Sequence, residues 1–188
     1  MESGKISSSH WLVAITKHYA SAFIIADYFL KKEGTRCLEI SALGKQGLLI
    51  FEINEKLSPV DYKIFLGNFN DQLEKQIIIE NLPAEVIKSY LSLENSNADN
   101  FLLFLEFDFL GEALMAAQNA VSRGLKIVDF RFIRSSNSVT HLILTGAEEA
   151  EGQSFRKECV REYPGVSQPQ LLAHPAAEIK NFFEIFPS

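Results

Sequence analysis

The residue types best suited to acid–base, nucleophilic or metal chemistry in this chain are four histidines and two cysteines. His10, His18, His141 and His174 are scattered, and no pair shows the H-E-x-x-H or close Cys/His spacing that sets two zinc ligands together. His10 and His18 flank one apolar stretch and His141 lies inside another, so all four read as structural or surface histidines. Cys37 sits beside Leu38 and near Ile40 and reads as a buried, inert thiol. Cys159 lies between Arg156 and Arg161, whose charges could lower its pKa, but no neighbour supplies a base, and it is not expected to be reactive. Asp108 and Glu112 bracket a turn and a helix start, where the helix dipole stabilises anions, so capping is their expected role. The run Glu148-Glu149-Ala150-Glu151 reads as a solvated first turn. A Walker loop, a G-x-G-x-x-G and a G-x-S-x-G are all missing. No catalytic residue, metal site or cofactor is therefore expected, and the chain does not read as an enzyme.

The elements that must carry these residues come twice. Setting Trp11 over Phe101, an offset of 90, places Ala26 on Ala116, Gly34 on Gly124, Arg36 on Lys126 and Glu39 on Asp129. Further on the offset becomes 93, with Leu49-Ile50-Phe51 over Leu142-Ile143-Leu144 and Ala84-Glu85-Val86 over Ala177-Glu178-Ile179. Each copy reads as strand, helix, strand, strand, helix, strand and a short closing helix. The first strands, 11–17 and 101–107, are nearly continuously apolar, as strands packed under helices are. Helices follow at about 20–32 and 111–123, with Gly34 and Gly124 placed to end them in a left-handed cap. Strands are expected at 36–42 with 48–53, and at 126–133 with 140–145. Ser58-Pro59-Val60-Asp61 and Thr145-Gly146-Ala147-Glu148 each offer a hydroxyl cap with an acid three residues later, starting the second helix. Last strands at 76–80 and 170–173 lead to closing helices near Pro83 and Pro175.

Residues 94–100 are polar and form a linker, which divides the chain into domains 10–93 and 100–188. The order βαββαβ, written twice, predicts an α+β protein of two tandem ferredoxin-like domains, each an antiparallel sheet with two helices on one face. The other sheet face needs cover from the sister copy, the terminal helices or another chain.

Composition narrows the function. With 18 basic and 24 acidic residues the formal charge is −6, which disfavours a reader of phosphate backbones, so no nucleic-acid partner is expected. Two cysteines make no disulfide framework, and a reducing, cytoplasmic setting follows. No apolar run reaches the roughly 18 residues of a membrane span, and Lys17 and His18 interrupt the stretch after Trp11 that a signal peptide would need. The 15 phenylalanines lie in apolar stripes that suit core packing and broad subunit contacts rather than base stacking.

In the second copy Leu105-Glu106 runs into the Gly- and Ala-rich helix Gly111-Glu112-Ala113-Leu114-Met115-Ala116-Ala117. With these residues the repeat resembles the shell domain of bacterial microcompartments, whose Ile-Glu strand runs into a helix of that kind. Lys126-Ile127-Val128-Asp129 resembles its next strand, and Leu142-Ile143-Leu144-Thr145-Gly146 the strand ending in glycine before the second helix. Ala26-Asp27-Tyr28-Phe29-Leu30-Lys31 resembles its Ala-Asp-x-x-x-Lys helix end, and Gly44-Lys45-Gln46-Gly47 its glycine-rich loop. The resemblance implies a tandem shell subunit that assembles as a homotrimer imitating a hexamer, with itself and other shell-type subunits as partners. It places Lys31 at an assembly edge between tiles. It also places Gly44, Lys45, Gln46, Gly47 and, less closely, Ser135, Ser136, Asn137 and Ser138 in loops around a central pore. Three copies of Lys45 near one axis would favour anionic metabolites. Two departures stand out: the second copy has Val121-Ser122-Arg123 where the edge lysine would fall, and the first helix carries Phe23, Tyr28 and Phe29 where shell helices are Ala-rich. The competing expectation is a ferredoxin-like regulatory protein that binds a small molecule at clefts between subunits. For Gly44 to Gly47 the plainer reading is a tight hairpin connection.

Overall fold

A computed structural model describes residues 9–32, 34–53, 59–134, 139–167 and 169–185. In the first copy β1 (Ser9–Thr16) leads into α1 (Tyr19–Leu30), followed by the hairpin of β2 (Thr35–Leu43) and β3 (Gln46–Ile53). Then come α2 (Pro59–Gly67), β4 (Leu73–Leu82) and α3 (Ala84–Tyr90). The second copy runs β5 (Phe101–Phe107), α4 (Leu110–Ser122), β6 (Lys126–Ile133), β7 (Val139–Thr145), α5 (Glu149–Glu162), β8 (Gln170–Ala173) and α6 (Ala177–Ile185). The sheets have the orders β2-β3-β1-β4 and β6-β7-β5-β8, with antiparallel pairing throughout. Two tandem ferredoxin-like α+β folds result, as the element order predicts.

By contacts the chain divides into two compact units, one formed by residues 9–82 with Arg134 and the other by residues 83–133 and 139–185. In sequence α3 follows the first copy, yet it packs on β6 and α4 and so belongs to the second unit. Residues 94–99 carry neither helix nor strand, and Ser96 N–H donates to the carbonyl of Ile127 at 2.8 Å.

In the first unit α1 and α2 cover one sheet face. Leu12, Ala14, Leu49 and Phe51 point up from the strands against Ala22, Ile25, Ala26 and Phe29 of α1 and Tyr62 and Leu66 of α2. The opposite face carries Trp11, Val13, Ile15, Leu48 and Ile50, which are buried too. That explains why β1 reads as continuously apolar. In the second unit Leu103 and Leu105 stand in register with Leu144 and Leu142, and Leu102, Val128 and Ile143 form a separate cluster with Phe104.

The register corrects the repeat alignment. Leu12 pairs with Phe51, and Leu103 pairs with Leu144. With β3 and β7 aligned at 93, the first strands therefore align at 91, Leu12 over Leu103, and not at 90. The helices follow the same step, because α1 begins at Tyr19 and α4 at Leu110. Ala22, Ile25, Ala26 and Phe29 then fall on Ala113, Ala116, Ala117 and Ala120, all of them buried. Setting Trp11 over Phe101 places side chains from opposite faces together, the consequence of a one-residue slip in any strand. The offset of 90 holds from Gly34 and Gly124 onward; both take a positive φ, +89° and +82°. It holds through the bulges, which fall between Cys37 and Glu39 in β2 and between Ile127 and Asp129 in β6.

The hydroxyl cap expected at Thr145 is not formed. The residue preceding α5 is Glu148, with no side-chain cap. Thr145 ends β7 instead, where its buried Oγ1 donates to the carbonyl of Phe101 at 2.6 Å and accepts from Asp99 N–H at 2.8 Å. It fastens the start of β5 to β7. Ser58 lies outside the described residues.

Candidate functional site

The Gly44–Gly47 segment is the tip of the β2–β3 hairpin. Leu43 pairs with Gln46, leaving Gly44 and Lys45 as a two-residue turn. Gly44 has φ +62°, the positive value that a type II′ turn needs at its first central position. Gly47 is required for space: a Cβ there would lie 2.7 Å from Ala22 Cβ and 2.8 Å from Thr16 Oγ1. Thr16 Oγ1 accepts from Gly47 N–H at 3.1 Å and donates to the carbonyl of His18 at 2.8 Å. Tyr19 N–H donates to the carbonyl of Lys45 at 2.8 Å. Gln46 Nε2 donates to Glu74. Hairpin and helix start are thus one hydrogen-bonded corner, with the Lys45 side chain exposed at its apex.

This corner sets Gly47, which the packing requires, apart from Lys45, which is exposed. Gly47→Ala is expected to cost about 1–3 kcal/mol by overpacking. Lys45→Ala should stay within about 0.5 kcal/mol of the parent, as exposed substitutions do. Thermal unfolding of both variants measures the contrast, and equal destabilisation would contradict the assignment.

Lys31 caps α1 at its C-terminus and is exposed, with Nζ 2.5 Å from Asp27 Oδ2 one turn earlier. The second set of loop residues, Ser135, Ser136, Asn137 and Ser138, lies outside the described residues.

The histidines serve the backbone or the surface. His10 Nδ1 accepts from Asn81 N–H at 3.0 Å. His18 precedes α1 and makes no side-chain cap. His174 takes φ +47° and donates its N–H to the carbonyl of Asn100 at 2.8 Å. His141 Nδ1 lies 3.9 Å from Glu106 Oε1 on the surface of β7. Cys37 is half-buried rather than buried, and desolvation raises its pKa. Cys159 is fully buried on α5, and desolvation, then the charge of Glu158, pushes it up to about 12. The flanking arginines do not activate it. Glu112 sits in the first turn of α4, but its Oε2 accepts from Gly165 N–H at 3.0 Å and ties down the segment after α5. Asp108 N–H donates to the carbonyl of the same Gly165 at 3.0 Å. Among the described residues no cluster of His, Cys, Asp and Glu could hold a metal ion.

Two clefts were not singled out from sequence. A cleft of about 410 Å³ lies between α2 and β4, lined by Lys63, Leu66, Gln76, Ile77, Ile78 and Glu80. A smaller one, about 200 Å³, is bordered by α3 and the linker, where Lys88 Nζ meets Glu94 at 2.5 Å. On the outer face of α1, the helix whose aromatic residues stand out in the sequence, Tyr19, Phe23, Ile24 and Leu30 are exposed. Of the aromatic residues of that helix only Phe29 is fully buried.

No helix among the described residues is long and apolar enough to cross a membrane. No protein-family profile matches the chain, and no curated protein matches it in sequence. Among solved structures it is similar to a putative glycine cleavage system transcriptional repressor (14% identity, 88% of this chain, 96% of the other) and to an unknown protein from Galdieria sulphuraria (11%, 88% and 98%). Both have a TM-score of 0.31, too low to carry an argument. A microcompartment protein from Desulfitobacterium hafniense superposes far better, with a TM-score of 0.75 at 13% identity over 93% of this chain and 99% of the other. At that identity the likeness establishes the architecture: this chain has the tandem ferredoxin-like fold of a microcompartment protein.

Proposed function

We propose that the chain is a structural, self-assembling protein, similar in role to a tandem microcompartment shell subunit, that forms a cytoplasmic homotrimer imitating a hexamer. The observation that carries this reading is the doubled ferredoxin-like unit in one chain, shared along nearly its whole length with a microcompartment protein. The exposed apolar face of α1 suits a chain that buries surface against copies of itself. In the trimer the Gly44–Gly47 turns gather around the axis and three Lys45 side chains favour anions there. Lys31 stands at the edge that meets the next tile. Other shell-type subunits are the further partners, and neither nucleic acid nor membrane is engaged.

Light scattering should give about three times the chain mass of 21.2 kDa; a clean monomer removes the reading. Electron microscopy of the same sample should show extended sheets or tubes. Lys31→Asp should abolish the sheets and keep the trimer, and a variant that loses the trimer would show that Lys31 is misplaced.

One observation favours a second reading, a regulatory protein that binds a small molecule. The cleft of about 410 Å³ beside α2 is lined by Lys63, Gln76 and Glu80 together with Leu66, Ile77 and Ile78. A thermal-shift panel of nucleotides, amino acids and organic acids tests it. A true ligand at 100 times its dissociation constant adds roughly 2.7 kcal/mol, and a flat panel rejects it.

A further inference from the structure

The two copies differ most in what flanks them. In the second unit α3 lies against β6 and α4 and places Tyr90 edge-on to Phe130 at 5.8 Å between ring centroids. With that helix in place Ile127, Val128, Asp129 and Phe130 are all buried, as are Leu110 and Leu114 of α4. The corresponding flank of the first copy has no such helix among the described residues. Cys37, Leu38, Glu39 and Ile40 are only half-buried. Tyr19 and Phe23, which fall on Leu110 and Leu114 in the corrected alignment, are exposed, Phe23 by 50% and its neighbour Ile24 by 57%.

The counterpart of α3 is α6, because Ala84-Glu85-Val86 aligns with Ala177-Glu178-Ile179 and Tyr90 with Phe183. Val86 is fully buried, whereas Ile179 is 44% exposed. Along α6 the apolar residues Ile179, Phe182 and Phe183 recur at the helical spacing of a docking stripe. One chain therefore carries an uncovered flank and, in Ile179, an uncovered counterpart of the residue that α3 buries.

We infer that α6 of one copy docks on the α1–β2 flank of the next, repeating between chains the contact that α3 makes on α4 and β6 within one. The contact is head-to-tail, and such a contact closes into a ring when its rotation permits. The inference rests on the trimeric reading and names the surfaces that would build the trimer; Lys31 and the turns around Lys45 play no part in it.

Phe23→Asp and Ile179→Asp test it in the full chain. Each should convert a particle of about three times 21.2 kDa into one of a single chain. Mixing the two variants should then give a particle of two chains and no larger, because the intact α6 of the Phe23→Asp chain meets the intact α1 of the Ile179→Asp chain and the ring stays open. A misfolded variant cannot produce that complementation. If the parent is a trimer and both variants remain trimers, or the mixture stays monomeric, the docking is wrong while the trimer stands. If the parent itself is monomeric, the trimeric reading falls and the docking with it.

Discussion

Phe29→Ala is expected to remove about 3–5 kcal/mol of stability, enough by itself to consume much of what holds a small domain together. Phe29 is fully buried on α1. Its ring lies 5.3 Å from that of Phe51 on β3 and stacks at 5.9 Å on Tyr62 of α2, so one side chain joins both helices to the sheet. The second copy has alanine at this position, Ala120 of α4, and packs well around it. That makes the substitution informative. Phe29→Ala gives the first copy the residue of its sister without the neighbours that close around it, so a cavity remains. The urea midpoint should fall with little change in slope, which marks lost stability rather than altered compactness. A loss below about 1 kcal/mol would mean that α1 is not seated on the sheet through this ring.

The same comparison explains what was legible in the sequence. Order, type and approximate limits of the elements were readable because strands, helices and their terminating glycines are local signals; Lys126–Ile133 and Gln170–Ala173 are strands as predicted. The facing of the first strand was not readable. Trp11 to Ile15 is apolar on both faces, so alternation, the only local mark of facing, is absent, and the alignment slipped by one residue. Thr145 could be taken for a helix cap because hydroxyl and acid stand at capping distance in sequence; its true partners, Asp99 N–H and the Phe101 carbonyl, are more than forty residues away. Cys159 shows the same limit. The arginines beside it in sequence are visible, whereas the burial that dominates its chemistry is a tertiary fact. At the candidate site the hairpin and its glycines were legible, but the steric demand at Gly47 was not, since it comes from α1 folding back over Thr16.

Alkaline pH should unfold the protein through three buried acids. Burial raises Cys159 from 9.0, and Tyr62 and Tyr163 from 10.0, each to about 12. Nearby Glu158 adds to the rise at Cys159 and Asp61 to that at Tyr62, while the hydrogen bond donated by Asn119 to Tyr163 acts against the rise there. Each group keeps its proton in the folded core at pH values where the unfolded chain has lost it. Their stabilising contributions are therefore complete below pH 9 and vanish as pH climbs toward 12, because proton release favours the unfolded side. Each tenfold difference in proton affinity between the folded and unfolded chain is worth roughly 1.4 kcal/mol, so the three together amount to several kcal/mol. The decline should begin with Cys159, whose unfolded thiol ionises first, and steepen above pH 10 when the tyrosines join. Chemical denaturation at pH 8, 9.5 and 11 reads the curve, and Cys159→Ala should flatten its first part only. Thiolate and tyrosinate absorbance should rise together with loss of structure; full ionisation of both thiols in a protein still folded at pH 10 would show that Cys159 is open to solvent and that α5 does not seal the core as described.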